Sequence, residues 1–352
     1  MKKHFTIICA AAFLLCLLVS GESASRKASG GENISIKDTA GRSVEISLPV
    51  KRLVVLTSDA LEIIRALKAE DLVVGVYSDI SRDPQFWPEL KDKSRVGNWK
   101  GLNYELVAEL NPDVVLCYTQ RPGRNMESKL EPFGIKVIRL DFFRPGKLEK
   151  EVAVLGRILK KEKEAMDLIA WYRNNIELIQ KGLKNISNQP HIYIEGDSRY
   201  HTAEPGSGGN EICVLAGGHN IACNLSIPYP EITPEWILTN NPDFIVKTTT
   251  KTTCGTSYSM ADALPLKRIR DSVMNRPAWE NIRAVKKNKV FVMSNEIWTG
   301  PRAIIGAGYM AKWFYPHAFK DFDPKKLHKE YLERFQGIKY RGVYVYPEGD
   351  GQ

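Results

Sequence analysis

Two kinds of segment, which differ in the spacing of their apolar residues, alternate along the first half of the chain. Short apolar runs typical of buried strands are followed by segments whose apolar residues recur every three or four positions, as on one face of a helix. Strands are predicted at 53–56, 73–76, 113–117 and 136–140, and helices at 60–67, 104–110 and 126–132. Strands that alternate with helices form a parallel sheet covered by helices, so this part is predicted to be an α/β lobe.

A purely helical segment follows this lobe. Between residues 147 and 186 the apolar residues recur in steps of three and four, and the charged stretch 160–164 divides them into two predicted helices. The second helix, of about 25 residues, would extend about 37 Å at 1.5 Å per residue. A rod of that length can join two lobes.

The alternation of strands and helices restarts at residue 191. Strands are predicted at 191–195, 243–247 and 290–293, and helices at 211–216, 234–239, 277–282 and 302–314. The two halves are most alike at residues 102–115 and 232–245, where a helix ends in Asn-Pro-Asp before an apolar strand. We therefore predict that one architectural unit is used twice.

The segments that flank the two lobes carry patterns of their own. Residues 34–48 alternate apolar and polar around Gly41, which predicts a hairpin, and an amphipathic helix is predicted at 327–335. The predicted division is a signal peptide at 1–25, an N-terminal α/β lobe at 33–146, a helical connector at 147–187, a C-terminal α/β lobe at 190–320, and a C-terminal helix and tail at 321–352.

The first residues have the pattern of an export signal. Lys2 and Lys3 precede an uncharged apolar run at 5–19, and small residues follow from Gly21. The run of about 15 residues is shorter than the ~20 that a spanning helix needs, and an uncleaved anchor is the alternative. Because Cys16 lies inside the run, we do not expect a lipid anchor on it. The protein is expected in the periplasm or at the outer face of the cytoplasmic membrane.

Length and charge narrow the class of protein. The 352 residues suit two cores rather than one, and an apolar fraction of 43% with 26% charged residues is ordinary for a globular protein. The formal charge of +9 would permit nucleic-acid binding, but no run of Lys and Arg is interleaved with stacking aromatics. We therefore interpret the charge as a solvated surface together with a site for an anionic ligand.

Cysteine and histidine usage argues against a metal site. Beyond the leader the cysteines lack CxxC spacing, and the six histidines are scattered. The sequence permits disulfides from Cys213 to Cys223 or from Cys223 to Cys254, while Cys117 reads as a small buried apolar residue. No bound metal and no resident cofactor are expected.

Several motifs together resemble a known family. They lie at residues 75–78, 96–105, 215–221 and 300–302 and at the two Asn-Pro-Asp repeats. The chain beyond its leader resembles the class III solute-binding proteins of ABC importers, which include binders of ferric siderophores, cobalamin and oxyanions. The resemblance implies two Rossmann-like lobes with central parallel sheets, a long rigid helix joining them, and a ligand cleft between them. It also implies a permease dimer with its cytoplasmic ATPase as partners, and we expect a monomer.

The resemblance assigns a role to one glutamate in each half. Family members dock onto the permease through a surface glutamate on each lobe, and the matching positions are Glu105 and Glu235. A carboxylate in the first turn of a helix also stabilises the helix dipole. The two roles are compatible.

Ligand residues are expected in the loops that follow the strands. Ligands of open α/β sheets bind beyond the carboxyl ends of the strands. This rule selects Tyr77, Trp99, Tyr118, Arg121, Arg199, Tyr200, His201, Trp298 and Arg302. Aromatic faces and fixed cations suit a planar or partly apolar complex with an anionic periphery. A ferric siderophore-like chelate is the leading prediction, and a corrinoid or molybdate or tungstate is the alternative.

An exported hydrolase is the rival from another class. No G-x-S-x-G elbow places a serine on a strand-to-helix turn, and no recognisable spacing pairs two carboxylates as a glycosidase requires. No catalytic residue is therefore predicted.

Overall fold

The computed structural model describes residues 32–349. The predicted signal peptide at 1–25 lies outside these residues, as does Cys16. Within the described range no helix combines the length and the apolar character that crossing a membrane requires.

The described elements follow the predicted alternation of strands and helices. The strands are β1 Asn33–Lys37, β2 Ser43–Ser47, β3 Leu53–Val55, β4 Val73–Val76, β5 Ser94–Arg95, β6 Val114–Cys117, β7 Lys136–Arg139, β8 His191–Glu195, β9 His219–Asn220, β10 Phe244–Thr249, β11 Val290–Ser294 and β12 Val345–Tyr346. The helices are α1 Ser58–Ala66, α2 Tyr104–Glu109, α3 Asn125–Leu130, α4 Pro145–Leu159, α5 Glu162–Leu183, α6 Gly208–Leu215, α7 Pro234–Asn240, α8 Lys251–Cys254, α9 Leu264–Met274, α10 Arg283–Lys286, α11 Ala303–Phe314 and α12 Pro324–Glu330.

The N-terminal lobe is built on a parallel sheet of order β5-β4-β3-β6-β7. The central strand β3 is buried along its whole length, with Val54 in the core of one face and Leu53 and Val55 in the core of the other. Such burial on both faces explains why the strands read as continuous apolar runs. The predicted hairpin is confirmed as the antiparallel pair β1 and β2.

The C-terminal lobe repeats this plan with one addition. Its sheet has the order β12-β11-β10-β8-β9, in which only β12 is antiparallel among the described strands. The aromatic ending of the chain therefore joins the sheet as an edge strand beside β11. The predicted class, two α/β lobes with central parallel sheets, is confirmed.

Two helices connect the lobes, as predicted. The break between α4 and α5 falls at Lys160, whose φ of 56° ends α4 inside the charged stretch. The 22-residue α5 contacts α1 of the first lobe and α6 and α11 of the second. The tail packs on it, since the Trp171 ring lies 5.5 Å from the rings of Tyr331 and Phe335.

The duplicated unit is visible at the start of its helix. Asn103 caps α2 by accepting a hydrogen bond from Leu106 N at 2.9 Å, and Thr233 caps α7 by accepting one from Trp236 N at 3.2 Å. Both side chains satisfy an N–H group that the helix itself cannot pair.

The Asn-Pro-Asp ending has a structural reason in both halves. Asn111 and Asn241 adopt left-handed φ values of 43° and 40°, which asparagine tolerates better than most residues. The Asp113 carboxylate then accepts backbone N–H bonds just before β3 at 2.8 and 3.0 Å, and Asp243 accepts one from the start of β8 at 2.9 Å. The motif therefore joins each helix to the neighbouring strand.

One predicted helix is wrong. Residues 277–282 form only a short 3₁₀ turn at Trp279–Asn281, whereas the longer α9 was not predicted. Trp279 and Ile282 are core residues at a helical spacing, which imitates a helix. The buried side of α9 is narrow, with Leu266 and Val273 its only buried apolar residues within the described chain.

Candidate ligand cleft

The carboxyl ends of the two sheets meet between the lobes. Asp59, just after β3, lies so near Gly300, after β11, that a Cβ on this glycine would come within 2.9 Å of its carboxylate. The Gly300 N–H also donates to the carbonyl of Phe143, which follows β7, at 3.4 Å. The segments that follow β3, β7 and β11 therefore approach one another between the lobes.

A small polar cavity of about 70 Å³ forms the floor of this cleft. It is lined by Ser58, Asp59, Glu62, Phe86, Trp87, Asn295, Glu296, Thr299 and Arg302. Arg302 is only 5% exposed, and its Nη2 donates to Glu62 at 2.9 Å while Nη1 lies 3.5 Å from Glu296. The predicted ligand cation is thus neutralised by carboxylates and ties the C-terminal lobe to α1.

The Asp59 carboxyl group in the floor of the cleft has a shifted pKa. Tyr118 donates its hydroxyl hydrogen to the Asp59 carboxylate at 2.9 Å. Burial raises the pKa of Asp59 to about 7, and the neighbouring Glu62 adds to the rise, while Tyr118 and Arg302 oppose it. Near neutral pH this carboxyl therefore changes its charge inside the cleft.

The raised pKa of Asp59 predicts a stability that depends on pH. A carboxyl whose pKa is higher in the folded chain binds its proton more tightly there, so ionisation destabilises the protein fully above pH 7 and less as pH falls toward 4. Asp59→Asn should raise the melting temperature at pH 8 by roughly 2–4 °C, about 1 kcal/mol, and by less at pH 5. Differential scanning fluorimetry measures both.

A matched control is Asp92→Asn, because the Asp92 side chain is 87% exposed. It should change stability little at either pH. An equal stabilisation by Asp59→Asn at pH 5 and pH 8 would contradict the raised pKa.

The rim of the N-terminal lobe carries an exposed cation stacked on an aromatic ring. Trp99 is 47% exposed, and the guanidinium carbon of Arg121 lies 4.4 Å from its ring centroid. Behind this stack the Tyr118 ring packs edge-on against Phe143 at 6.1 Å. The stack presents a flat face and a fixed positive charge at the mouth of the cleft.

Tyr229 is a rim residue that the sequence did not reveal. Its ring is 62% exposed, and its N–H donates to the Glu204 carboxylate at 2.9 Å. Burial and Glu204 raise the pKa of Tyr229, and the charge of Arg121 from the other lobe partly offsets the rise. Arg121 therefore acts across the mouth toward Tyr229. Tyr229 follows no strand, so only the exposed aromatic before Pro230 could have indicated it.

The predicted loop after β8 lies beside Tyr229. An isolated bridge pairs His201 with Glu231, and His201 Nδ1 lies 3.1 Å from the carbonyl of Arg199. Arg199 is exposed and donates to the Tyr200 hydroxyl at 2.8 Å. Arg199 therefore places an exposed cation on the C-terminal rim, in addition to Arg121 on the N-terminal rim.

The base of that loop is fixed by buried charges. Glu195 accepts two hydrogen bonds from Arg276, at 2.7 and 2.8 Å, and a third from the backbone N–H of Tyr200 at 3.2 Å. Lys247 donates to the carbonyl of Asp197 at 2.7 Å. The Tyr200 ring packs on the Arg276 guanidinium and is partly buried, so its main role is to support the rim.

Two further predicted ligand residues lie below the surface. Trp298 is 6% exposed, and a Cβ on Gly209 would come within 2.3 Å of its ring, so the first turn of α6 packs against it. Tyr77 is partly buried against the core, and burial raises its pKa. The structure thus brings Trp99, Tyr118 and Arg121 together on one lobe and residues 199–201 on the other.

The described residues offer no metal site of their own. Among residues 32–349 no group of three or more His, Cys, Asp and Glu side chains is arranged to hold an ion. Cys117, Cys213, Cys223 and Cys254 are all free, so neither candidate disulfide is formed.

Glu105 and Glu235 occupy equivalent exposed positions. Each lies in the first turn of its helix, α2 or α7, one residue after the helix begins. Both side chains are exposed, and the burial pattern over residues 101–110 is identical to that over 231–240.

A family model and a known protein each match most of the chain. The family model described as periplasmic binding protein matches residues 53–297. The uncharacterized ABC transporter substrate-binding lipoprotein YvrC of Bacillus subtilis is 27% identical over 297 residues, which cover 82% of this chain and 87% of that protein.

Two further similarities extend over most of the chain. The molybdate-binding protein MolA of Haemophilus influenzae is 24% identical over 344 residues, covering 87% of this chain and 92% of that one. The solved structure of the TroA-like periplasmic binding protein FepB from Veillonella parvula superposes with a TM-score of 0.74 at 22% identity, covering 89% of this chain and 99% of that one. The second similarity shows the fold.

Proposed function

Because the chain belongs to the periplasmic binding protein family, we propose that it captures an anionic metal chelate, of the ferric siderophore type, and delivers it to an ABC permease. It is the extracytoplasmic substrate-binding subunit of an ABC transporter and not an enzyme. The choice of ligand rests on how charge is distributed between the floor and the rim of the cleft.

The floor of the cleft does not suit a bare oxyanion. Its cavity of about 70 Å³ holds the carboxyl groups of Asp59, Glu62 and Glu296 against the single guanidinium of Arg302. An oxyanion binds where cations and backbone donors outnumber carboxylates. The formal net charge of this floor is −2 with Asp59 ionised and −1 with Asp59 protonated, so the floor would repel molybdate rather than hold it.

The rim supports a larger ligand. The Trp99 and Tyr229 rings are exposed on opposite lobes, and the cations of Arg121 and Arg199 lie beside them. A chelate could lay a planar ligand arm against a ring while its acidic oxygens meet a guanidinium. The stack of Arg121 on Trp99 is the observation that carries this proposal.

Two other ligands remain as second candidates. Molybdate or tungstate is favoured by the similarity to MolA, and a corrinoid would also use flat aromatic surfaces. The exported hydrolase gains no support, because the similar proteins are solute-binding proteins.

We also propose that Glu105 and Glu235 contact the permease. They are exposed, repeated by the duplicated unit, and carried on opposite lobes. A docking surface that spans both lobes can sense how the lobes are placed around the ligand.

Trp99→Ala should weaken chelate binding. Losing the ring and the support that it gives Arg121 should lower affinity for a ferric tris-catecholate about 10- to 30-fold, by analogy with cation–π contributions of up to ~2 kcal/mol. Isothermal titration calorimetry measures the affinity.

Phe133→Ala is the control, since Phe133 is also an exposed aromatic residue but precedes β7, at the opposite edge of the same sheet. It should bind like the wild type. The proposal would be contradicted if Trp99→Ala bound the chelate as tightly as the wild-type protein does. It would also be contradicted if the wild-type protein bound molybdate and did not bind the chelate.

A further inference from the structure

A buried arginine lies beneath the rim of the N-terminal lobe. Arg139 ends β7 and is among the largest fully buried side chains. A guanidinium keeps its charge in any protein environment, so a buried one needs a complete set of hydrogen-bond acceptors. The identity of those acceptors shows what Arg139 holds in place.

Most of the acceptors belong to one loop. The Arg139 guanidinium donates to the backbone carbonyls of Tyr118 at 2.9 Å, Thr119 at 3.1 Å, Pro122 at 2.9 Å and Gly123 at 3.2 Å. The segment 118–123 therefore curves around a single side chain.

A carboxylate completes the arrangement. Glu127, on α3, accepts from Arg139 Nε at 2.7 Å and from Nη2 at 3.0 Å, which is a bidentate pair. Glu127 also accepts from Arg42 at 2.6 Å, and Arg42 is bound in turn to Asp38. The orientation of the Arg139 guanidinium is therefore fixed from two sides.

The loop that Arg139 holds carries ligand-facing groups of the proposed site. Tyr118 reaches from it to Asp59, and Arg121 reaches from it to stack on Trp99. The side-chain hydrogen bonds that Arg139 makes to the described residues go to neither Arg121 nor Trp99. A shift of the loop would move the rim cation while leaving the core of the lobe packed.

We propose that Arg139 is a positioning residue for ligand binding, which sets the place of the Arg121 cation at the mouth of the cleft. The role in affinity rests on the proposed function; the role in loop geometry does not. A lysine cannot replace it, because an ammonium has three donors and no planar fork, whereas four carbonyls and two carboxylate oxygens must be served.

The test compares two buried arginines. Arg139→Lys removes the loop contacts, and Arg270→Lys is the matched control. Arg270 is also buried and donates to backbone carbonyls, of Val290 at 2.7 Å and Asn288 at 3.2 Å, but at the amino end of β11 in the other lobe. Both changes should lower the melting temperature by similar amounts.

The first readout needs no ligand. In protein labelled with 5-fluorotryptophan, the Trp99 ¹⁹F resonance, assigned with Trp99→Phe, should shift or broaden in Arg139→Lys and stay in place in Arg270→Lys. The second readout is calorimetric titration with ferric tris-catecholate. Arg139→Lys should lose about tenfold in affinity, the effect of one or two misplaced hydrogen bonds, and Arg270→Lys less than twofold.

An unchanged Trp99 resonance in a folded Arg139→Lys protein would overturn the proposal, as would equal affinity losses in the two lysine variants. If Arg139→Lys does not fold, Glu127→Gln, which keeps the carbonyl contacts but weakens the pair, should displace the resonance less and in the same direction. A wild type that binds no chelate would overturn the ligand assignment, while the Trp99 resonance would still decide the role of Arg139.

Discussion

Replacing Glu105 and Glu235 together by alanine is expected to abolish uptake while the purified protein keeps its ligand affinity. Both carboxylates are exposed in the first turn of α2 and α7, and neither belongs to the residues proposed to hold the ligand. Truncating one partner of an interfacial charge pair costs about 2–5 kcal/mol, so losing two should reduce transport by roughly 100-fold or more. Radiolabelled ligand uptake and calorimetry measure the two quantities.

The control for this prediction is a second pair of exposed glutamates. Glu109 lies at the end of α2 and Glu280 in the 3₁₀ turn of the other lobe, and neither belongs to the repeated first turn. Their double alanine variant should transport normally. Wild-type uptake by the Glu105→Ala/Glu235→Ala protein would show that the proposed docking is wrong.

Arg302→Met is expected to give the largest loss of stability. The change leaves Glu62 buried without its cation, and removing one partner of a buried pair costs about 3–5 kcal/mol. Glu62 also accepts a hydrogen bond from Tyr331 at 3.2 Å, and its carbonyl accepts one from Gln336 at 3.0 Å, so the tail would loosen as well. The melting temperature should fall by roughly 10 °C.

A double variant separates the effect of the broken Glu62–Arg302 ion pair from the effect of the lost packing around Arg302. Glu62→Gln/Arg302→Met removes the stranded charge and should recover at least half of the stability, since the two effects are not additive. Arg334→Met, which breaks the exposed pair with Asp167, should cost less than about 1 kcal/mol. If the double variant is less stable than Arg302→Met, the ion pair does not explain the loss.

The sequence predicted the central strands of both sheets well because β3, β6, β10 and β11 are buried on both faces. An uninterrupted apolar run such as the one that contains β6 has few other interpretations when helical spacing follows it. The helix part of the Asn-Pro-Asp unit was predictable because its cap and its left-handed asparagine are local, whereas the contact of Asp113 with the strand spans 62 positions.

The cleft was less predictable because its charges are paired over long sequence distances. Arg302 stands after a strand, as a ligand residue should, yet its partner Glu62 is 240 positions away and inside α1. Nothing local distinguishes a guanidinium that faces solvent from one that a distant carboxylate neutralises. Tyr229 was missed for the opposite reason, since it lies in a coil and reaches the rim only through the fold.

Chelate capture is tested most directly by native mass spectrometry of the protein after incubation with equal concentrations of ferric tris-catecholate, cobalamin and molybdate. We expect a single added mass equal to one ferric chelate per chain, and we expect this added mass to be lost in Trp99→Ala. Retention of molybdate alone, or of no ligand in any mixture, would contradict this expectation.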